Sequence, residues 1–187
     1  VKSGIPLDDV FKLISERYKS IVDDLNLNLD LIEAAALGHD LGHAPFSHTG
    51  EEYYLEEGKR DALHTEIVSL TKDPDLEDEI RSKSYKAAPH ELMSVIVALK
   101  DYESLFKDDR EKSFFARCIL GYLYVKNKGA EYSFLNCMIS LLNSSVIDVD
   151  KLDYLIRDAY ITGFDTVSID YMRLLKSIRF RKDEETY

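Results

Sequence analysis

An apolar helical run, Leu29 to Gly38, stops on a His-Asp pair, and His43 and His48 follow it across Gly42 and Pro45. That feature constrains the chain most. A helix that is apolar nearly all round belongs in the middle of a core, so what it ends on is presented by a rigid element. His39 and Asp40 are neighbours, and neighbouring side chains on a helix diverge by roughly 100°. Both still reach one metal ion if it sits at the end of the helix. A His nitrogen and a carboxylate oxygen suit Zn, Mn, Fe, Co or Ni, with softness and geometry deciding among them. A lone His-Asp dipeptide is commonly a solvated helix end. Here three of the chain's five histidines fall within 39–48, with Gly and Pro fixing the backbone between them, and that favours a functional site.

The rest of the chain reads as helices. Ile5-Pro6-Leu7 leads into a first helix with Pro6 in its first turn. Val10, Phe11, Ile14, Tyr18, Ile21, Val22 and Leu25 then recur at threes and fours. Asn26 to Asn28 are expected to break that helix, and Asn28 to cap the next. Ser47 to Leu55 reads as a short helix and Ala62 to Leu70 as a weak one. The polar stretch 72–88 is expected to be an exposed insertion, with one short helix from Asp75 to Arg81. Pro89 opens an amphipathic helix with Leu92, Val95, Ile96, Leu99, Tyr102 and Phe106 on one face. Further helices are expected from about Arg110 to Val125, from Tyr132 to Leu142 and from Ile169 to Phe180, with Asn127-Lys128-Gly129 as a turn. Sustained period-two alternation, hairpin signals and internal repeats are all missing from the sequence. With only eight Gly and four Pro, the chain is expected to be an all-α bundle.

A second chemical stretch runs from Asp148 to Asp158. Val149, Leu152, Leu155, Ile156 and Tyr160 are expected to form a buried stripe. Asp150, Tyr154 and Asp158 are each four apart, on one line beside Lys151. Acids in a first turn answer the helix dipole and account for Asp148 and Asp150. They do not account for Tyr154 and Asp158 on the same line.

A net charge of −11 argues against broad nucleic-acid contact through phosphate neutralisation. It leaves room for a small polyanionic substrate, because a bound metal and local Lys or Arg reverse the local field. Cys118 and Cys137 read as buried reduced thiols, which points to the cytoplasm. The sequence contains no run of about 18 apolar residues that would suggest a membrane span.

Together, His39-Asp40-Leu41-Gly42-His43-Ala44-Pro45-Phe46-Ser47-His48 and Asp148-Val149-Asp150-Lys151-Leu152-Asp153-Tyr154-Leu155-Ile156-Arg157-Asp158 resemble the HD superfamily of metal-dependent phosphohydrolases. Within that superfamily they resemble the deoxynucleoside-triphosphate triphosphohydrolases, which include bacterial dGTPases and the animal enzyme that joins a SAM domain to an HD domain. The resemblance runs from about Leu29 to Ile178. It implies an all-α HD-domain helical bundle that hydrolyses a dNTP to deoxynucleoside and intact triphosphate. It implies His39, Asp40 and Asp150 as ligands of a divalent metal, Mn, Mg, Fe, Co, Ni or Zn. His43 and His48 would face the scissile phosphate, one as acid toward the leaving group. His90, in Pro89-His90-Glu91-Leu92-Met93-Ser94, resembles the family's further active-site histidine. His64 is the weaker candidate for that role and is expected at the surface or in a loop. Lys151 would neutralise phosphate charge, and Tyr154 and Asp158 would approach the sugar.

The family's first metal-binding histidine lies upstream of the helix before His39-Asp40, and no histidine precedes His39 here. A chain of 187 residues is therefore expected to be a single HD domain lacking N- and C-terminal segments, or one that has lost a ligand. The alternatives are an HD phosphohydrolase acting on another nucleotide or phosphate ester, and a degenerate HD module that binds nucleotide without turnover. The resemblance also implies a homo-oligomer and a nucleotide effector. Phe114-Phe115 and Tyr122-Leu123-Tyr124 carry more aromatic surface than one stripe needs and are expected to supply part of an interface.

Overall fold

The computed structural model describes residues 5–6, 19–56, 58–82, 87–126, 129–144, 148–163 and 170–180. They form an all-α bundle: α1 (Lys19–Gly38), a 3₁₀ helix (Ser47–Leu55), α2 (Lys59–Thr71), α3 (Pro74–Ser82), α4 (Pro89–Asp101), a 3₁₀ turn (Glu103–Leu105), α5 (Asp109–Leu120), α6 (Ala130–Leu142), α7 (Val149–Thr162) and α8 (Tyr171–Ser177). The chain divides into two compact units, 29–151 and 1–28 with 152–187. Among the described residues the extended backbone is one antiparallel pair, β1 (Ile5–Pro6) with β2 (Arg179–Phe180). Pro6 therefore sits in a strand rather than in the first turn of a helix. A short β-piece also replaces the last residues expected of the C-terminal helix.

In the unit 29–151, α2, α4 and α5 pack against one another and α6 packs on α5. Helix α5 supplies the centre, since Ser113 to Leu120 are all buried. Its ends are set locally. Asp108 accepts the Glu111 N–H at 2.9 Å, and Gly121 stops the helix with φ 69°. The helix thus ends at Leu120, short of Val125, because Gly121 takes the left-handed cap. Phe114, Phe115 and Tyr122 are buried in this core and offer no surface, whereas Leu123 is exposed and Tyr124 half-buried.

Other expectations also change. Asn26 to Asn28 do not break the chain: α1 is continuous through them. The helix penalty of Asn is a few tenths of a kcal/mol, about what ordinary residues carry and far from that of Pro. Leu29 to Gly38 is not the middle of the core. It buries Leu31 and Ala35 on one face, while Leu37 is 78% exposed. The stretch 72–88 is more than an exposed insertion, because Leu76 and Ile80 are 0% and 2% exposed and Ala87 is buried too. Two apolar residues four apart on one face are enough to seat α3, whatever the charge around them. His64 lies on α2 and is buried, not at the surface, and burial lowers its pKa. Cys118 is buried as expected, whereas Cys137 is exposed because it points away from the buried face of α6 formed by Phe134, Leu135, Met138 and Ile139. The expected stripe on α7 is uncovered: no described side chain of that helix is buried, and Tyr160 is 88% exposed. Apolar periodicity reports a face that needs a partner; it does not say where the partner lies. Residues 127 and 128 of the expected turn, and 7–18 of the expected first helix, lie outside the described residues.

Candidate functional site

The site is built where α1 ends, where α4 begins and where α7 begins. The loop after Asp40 is pressed onto α4. Gly42 N donates to Ser94 Oγ at 2.8 Å, and that hydroxyl in turn donates to the carbonyl of His39. A Cβ on Gly42 would lie 2.3 Å from Ser94 N and 2.6 Å from the His90 carbonyl oxygen. Only glycine allows this approach. It sets the His43 ring against the His90 ring, with centroids 4.2 Å apart and planes at 16°. Gly42→Ala is expected to lower stability by about 1–3 kcal/mol, read from denaturant unfolding, and to reduce activity by parting these rings. An unchanged unfolding midpoint would show that the approach is not needed.

Two successive non-glycine residues, Phe46 (φ 69°) and Ser47 (φ 54°), then take left-handed backbone. Such residues store about 1–3 kcal/mol each and persist where the surroundings hold them. The turn leads into the 3₁₀ helix that carries His48 and Glu51.

Glu51 is the residue the sequence reading overlooked. Its buried Oε1 lies 2.8 Å from His48 Nδ1, 3.0 Å from His90 Nδ1 and 3.2 Å from His43 Nδ1. Burial would raise its pKa, but hydrogen bonds and charge from His90 and His48 outweigh burial and hold it below the usual glutamate value. A signal was present: His48 and Glu51 are three apart, hence on one face of any helix.

On the other side of the stacked rings, Asp40 Oδ1 lies 3.3 Å from His39 Nε2, 3.3 Å from His43 Nε2 and 4.0 Å from His90 Nε2. Asp150, from the first turn of α7, brings Oδ1 to 3.3 Å from His39 Nε2. His39 Nδ1 bonds to the Ala36 carbonyl at 2.8 Å, so that nitrogen carries the proton. In the neutral ring Nε2 then presents a lone pair to two carboxylate oxygens. Nε2 of His39 and Nδ1 of His43 are sealed from solvent, and neither makes a hydrogen bond. Electron-rich atoms converging in this way, with orphaned ring nitrogens among them, fit a divalent cation. His43, His48, Glu51 and His90 also offer donor atoms all within 4.8 Å of one another.

The start of α7 is fixed by Asp148, one of the acids expected to answer the helix dipole. Its carboxylate accepts the Lys151 N–H at 2.8 Å and the Ser144 N–H at 3.2 Å. Burial would raise its pKa, but these bonds and the Lys151 charge lower it. Lys151 Nζ donates to Asp148 Oδ2 and to the Ser144 carbonyl, both at 2.7 Å. The structure thus brings together His39, Asp40, His43, His48, His90 and Asp150. It pairs Lys151 with Asp148 beside Asp150. Tyr154 and Asp158 follow along α7, in the part of the helix that belongs to the other unit, and both are exposed. His64 takes no part in the described site contacts.

Several known proteins are similar to this chain in sequence. The uncharacterized protein YwfO of Bacillus subtilis is 32% identical over 95% of this chain and 30% of its own length. A Dictyostelium discoideum protein named deoxynucleoside triphosphate triphosphohydrolase SAMHD1 homolog is 31% identical over 82% of this chain and 24% of its own length. A deoxyguanosinetriphosphate triphosphohydrolase-like protein of Clostridium tetani is 62% identical over 43 residues, 23% of this chain and 12% of its own. The chain spans about a third or less of the length of these relatives. No solved structure matches it significantly. No described helix is long and apolar enough to cross a membrane. The HD domain family matches residues 11–113 of the 187, a span that holds the His-Asp pair and the whole Glu51 cluster, and the chain belongs to that family.

Proposed function

We propose that this chain carries the catalytic site of a metal-dependent phosphohydrolase that cleaves deoxynucleoside triphosphates to deoxynucleoside and triphosphate. The observation that carries this reading is the convergence of His39 Nε2 with the carboxylates of Asp40 and Asp150, beside imidazoles gathered on Glu51. In this reading His39, Asp40 and Asp150 hold a divalent cation, which when bound neutralises charge on a phosphate oxygen and lowers the pKa of a water. Hydrolysis would add a water oxygen to the α-phosphorus as the bond from phosphorus to the 5′-oxygen breaks, and the 5′-oxygen would leave with a proton.

The side chains supply the rest. His48 is the open ring of the cluster, 77% exposed, so it meets the substrate first. Its Nδ1–H donates to Glu51, which leaves Nε2 to deliver the proton. His43 and His90 stand as a stacked pair between Asp40 and Glu51 and hold both carboxylates in register. Two of the three Lys151 ammonium donors are bonded within the protein, and the third is assigned to a phosphate oxygen. Through the resemblance alone, Tyr154 and Asp158 are assigned to the sugar. The naming of the Dictyostelium relative supports the choice of substrate. A homo-oligomer and a nucleotide effector come with this reading through the resemblance alone.

Ion chromatography of products from the full-length protein with dGTP and Mn²⁺ tests the reading, beside a His39→Ala/Asp40→Ala control. Tripolyphosphate with deoxyguanosine, absent from the control, is expected. Pyrophosphate or orthophosphate would overturn the triphosphohydrolase step. No product from any dNTP would move the chain to another phosphate ester or to nucleotide binding without turnover.

A further inference from the structure

We propose that Asn143 is a positioning residue of the phosphohydrolase site: its side-chain amide ties the start of α4, which carries His90, to the start of α7, which carries Asp150. The inference rests on the phosphohydrolase reading. The need for such a tie comes from the site itself. Asp150 Oδ1 lies 3.3 Å from His39 Nε2, yet that nitrogen makes no hydrogen bond. In the neutral ring, a lone pair facing a carboxylate supplies no attraction. Asp150 is therefore held at that distance through the backbone of α7.

Asn143 stands at the C-terminal end of α6. Its Nδ2 donates to Glu91 Oε1 at 2.7 Å and to the Ile119 carbonyl at 2.6 Å. Both neighbours are acceptors, and the NH₂ of an amide satisfies the two at once. Glu91 Oε2 accepts the Ala88 N–H at 2.5 Å, which closes the first turn of α4 around His90. Ile119 lies in the last turn of α5. One amide thus joins the ends of α5 and α6 to the beginning of α4.

The next residue passes the link on. The Ser144 N–H donates to Asp148 Oδ2 at 3.2 Å, and its carbonyl accepts from Lys151 Nζ at 2.7 Å. Asp148 and Lys151 bracket Asp150 at the start of α7. From His90 to Asp150 every step is a hydrogen bond or a run of backbone, and all of it lies in the unit 29–151. Asn143 is half-buried, so its amide adds hydrogen bonds rather than apolar packing. Its loss would release the carboxylate assigned to the metal and the ammonium assigned to phosphate together.

The test is the Mn²⁺ affinity of the full-length protein, by titration calorimetry below the melting temperature of every variant. Asn143→Ala is expected to weaken Mn²⁺ binding by about 10–100-fold, as loss of a residue that orients metal ligands does. Turnover of dGTP should fall with it. Asn143→Ser keeps one donor, is expected to fall between, and carries the comparison if Asn143→Ala does not fold. Asp73→Asn is the control: it loosens the fold away from the site and is expected to keep the wild-type affinity. Affinity within about threefold of wild type in each Asn143 variant that folds, or an equal fall in Asp73→Asn, would overturn the proposal. The two readings fail separately. Unchanged affinity in the Asn143 variants, with tripolyphosphate released by the wild type, sinks the role of Asn143 alone. Affinity lost in Asn143→Ala but kept in Asp73→Asn, with no phosphate product from the wild type, sinks the phosphohydrolase reading alone.

Discussion

Asp40→Asn is expected to lower divalent-cation affinity and turnover by more than about a hundredfold each, with the fold intact. Replacing a partner that merely orients a metal ligand costs about 10–100-fold in affinity or activity, and loss of a ligand exceeds that. Asp40 is the carboxylate on which three histidines converge, from His39, His43 and His90. Asn keeps the shape and one oxygen but removes the charge, and it turns an amide N–H₂ into a cluster of lone pairs. Its side chain is 52% exposed, so no buried packing is lost. Titration calorimetry with Mn²⁺, initial rates with dGTP and a thermal melt separate the effects. Turnover within tenfold of wild type at unchanged metal content would remove Asp40 from the metal set.

The sequence was informative where chemistry is local and less so where it is gathered from a distance. His39, Asp40, His43 and His48 lie within ten positions, and their residue types name the chemistry. Asp150 and His90 lie far along the chain; Asp150 stood out by its spacing to Tyr154 and Asp158, but its metal-ligand role, like that of His90, was reachable only through the resemblance. The structure adds the reason they meet: Gly42 and Ser94 clamp the loop to α4, and Asp148 pins the start of α7. Glu51 escaped because a glutamate in a polar stretch looks like any solvated acid. What marks it is burial among three imidazoles, a property of the folded chain. Helix positions followed the apolar periodicity, and helix ends were missed where a single residue decides them, as Gly121 does for α5. The stretch 72–88 was misread for a related reason. Its charges conceal an aspartate that faces inward.

That aspartate carries the largest stability effect expected here: Asp73→Asn should cost about 3–5 kcal/mol, the price of leaving a buried charge uncompensated. Arg117 is fully buried in α5. Its Nε and Nη2 donate to Asp73 Oδ2 at 3.1 and 2.8 Å, and Ser113 Oγ donates to the same oxygen. Nη1 donates to the Leu123 carbonyl at 3.0 Å, and the guanidinium lies 4.2 Å from the centre of the Tyr124 ring. Asp73 also caps α3, with Oδ1 accepting from Asp75 N at 2.9 Å and Leu76 N at 3.1 Å. Asn caps a helix as well as Asp does, so Asp73→Asn isolates the charge, while Asp73→Ala should lose about 1 kcal/mol more. The pH dependence follows from the same contacts. Burial raises the Asp73 pKa, but Ser113 and Arg117 outweigh it and hold the folded value below that of an ordinary aspartate. As the pH falls below about 4, the unfolded chain takes up the proton first, so the stabilisation is present above that pH and is lost on further acidification. Urea unfolding from pH 6 to pH 2 should therefore show wild type and Asp73→Asn converging in acid; a gap that stays constant would assign the loss to packing. Arg117→Met in the Asp73→Asn background should recover part of the loss, because an apolar side chain of similar volume at that position needs no counter-charge.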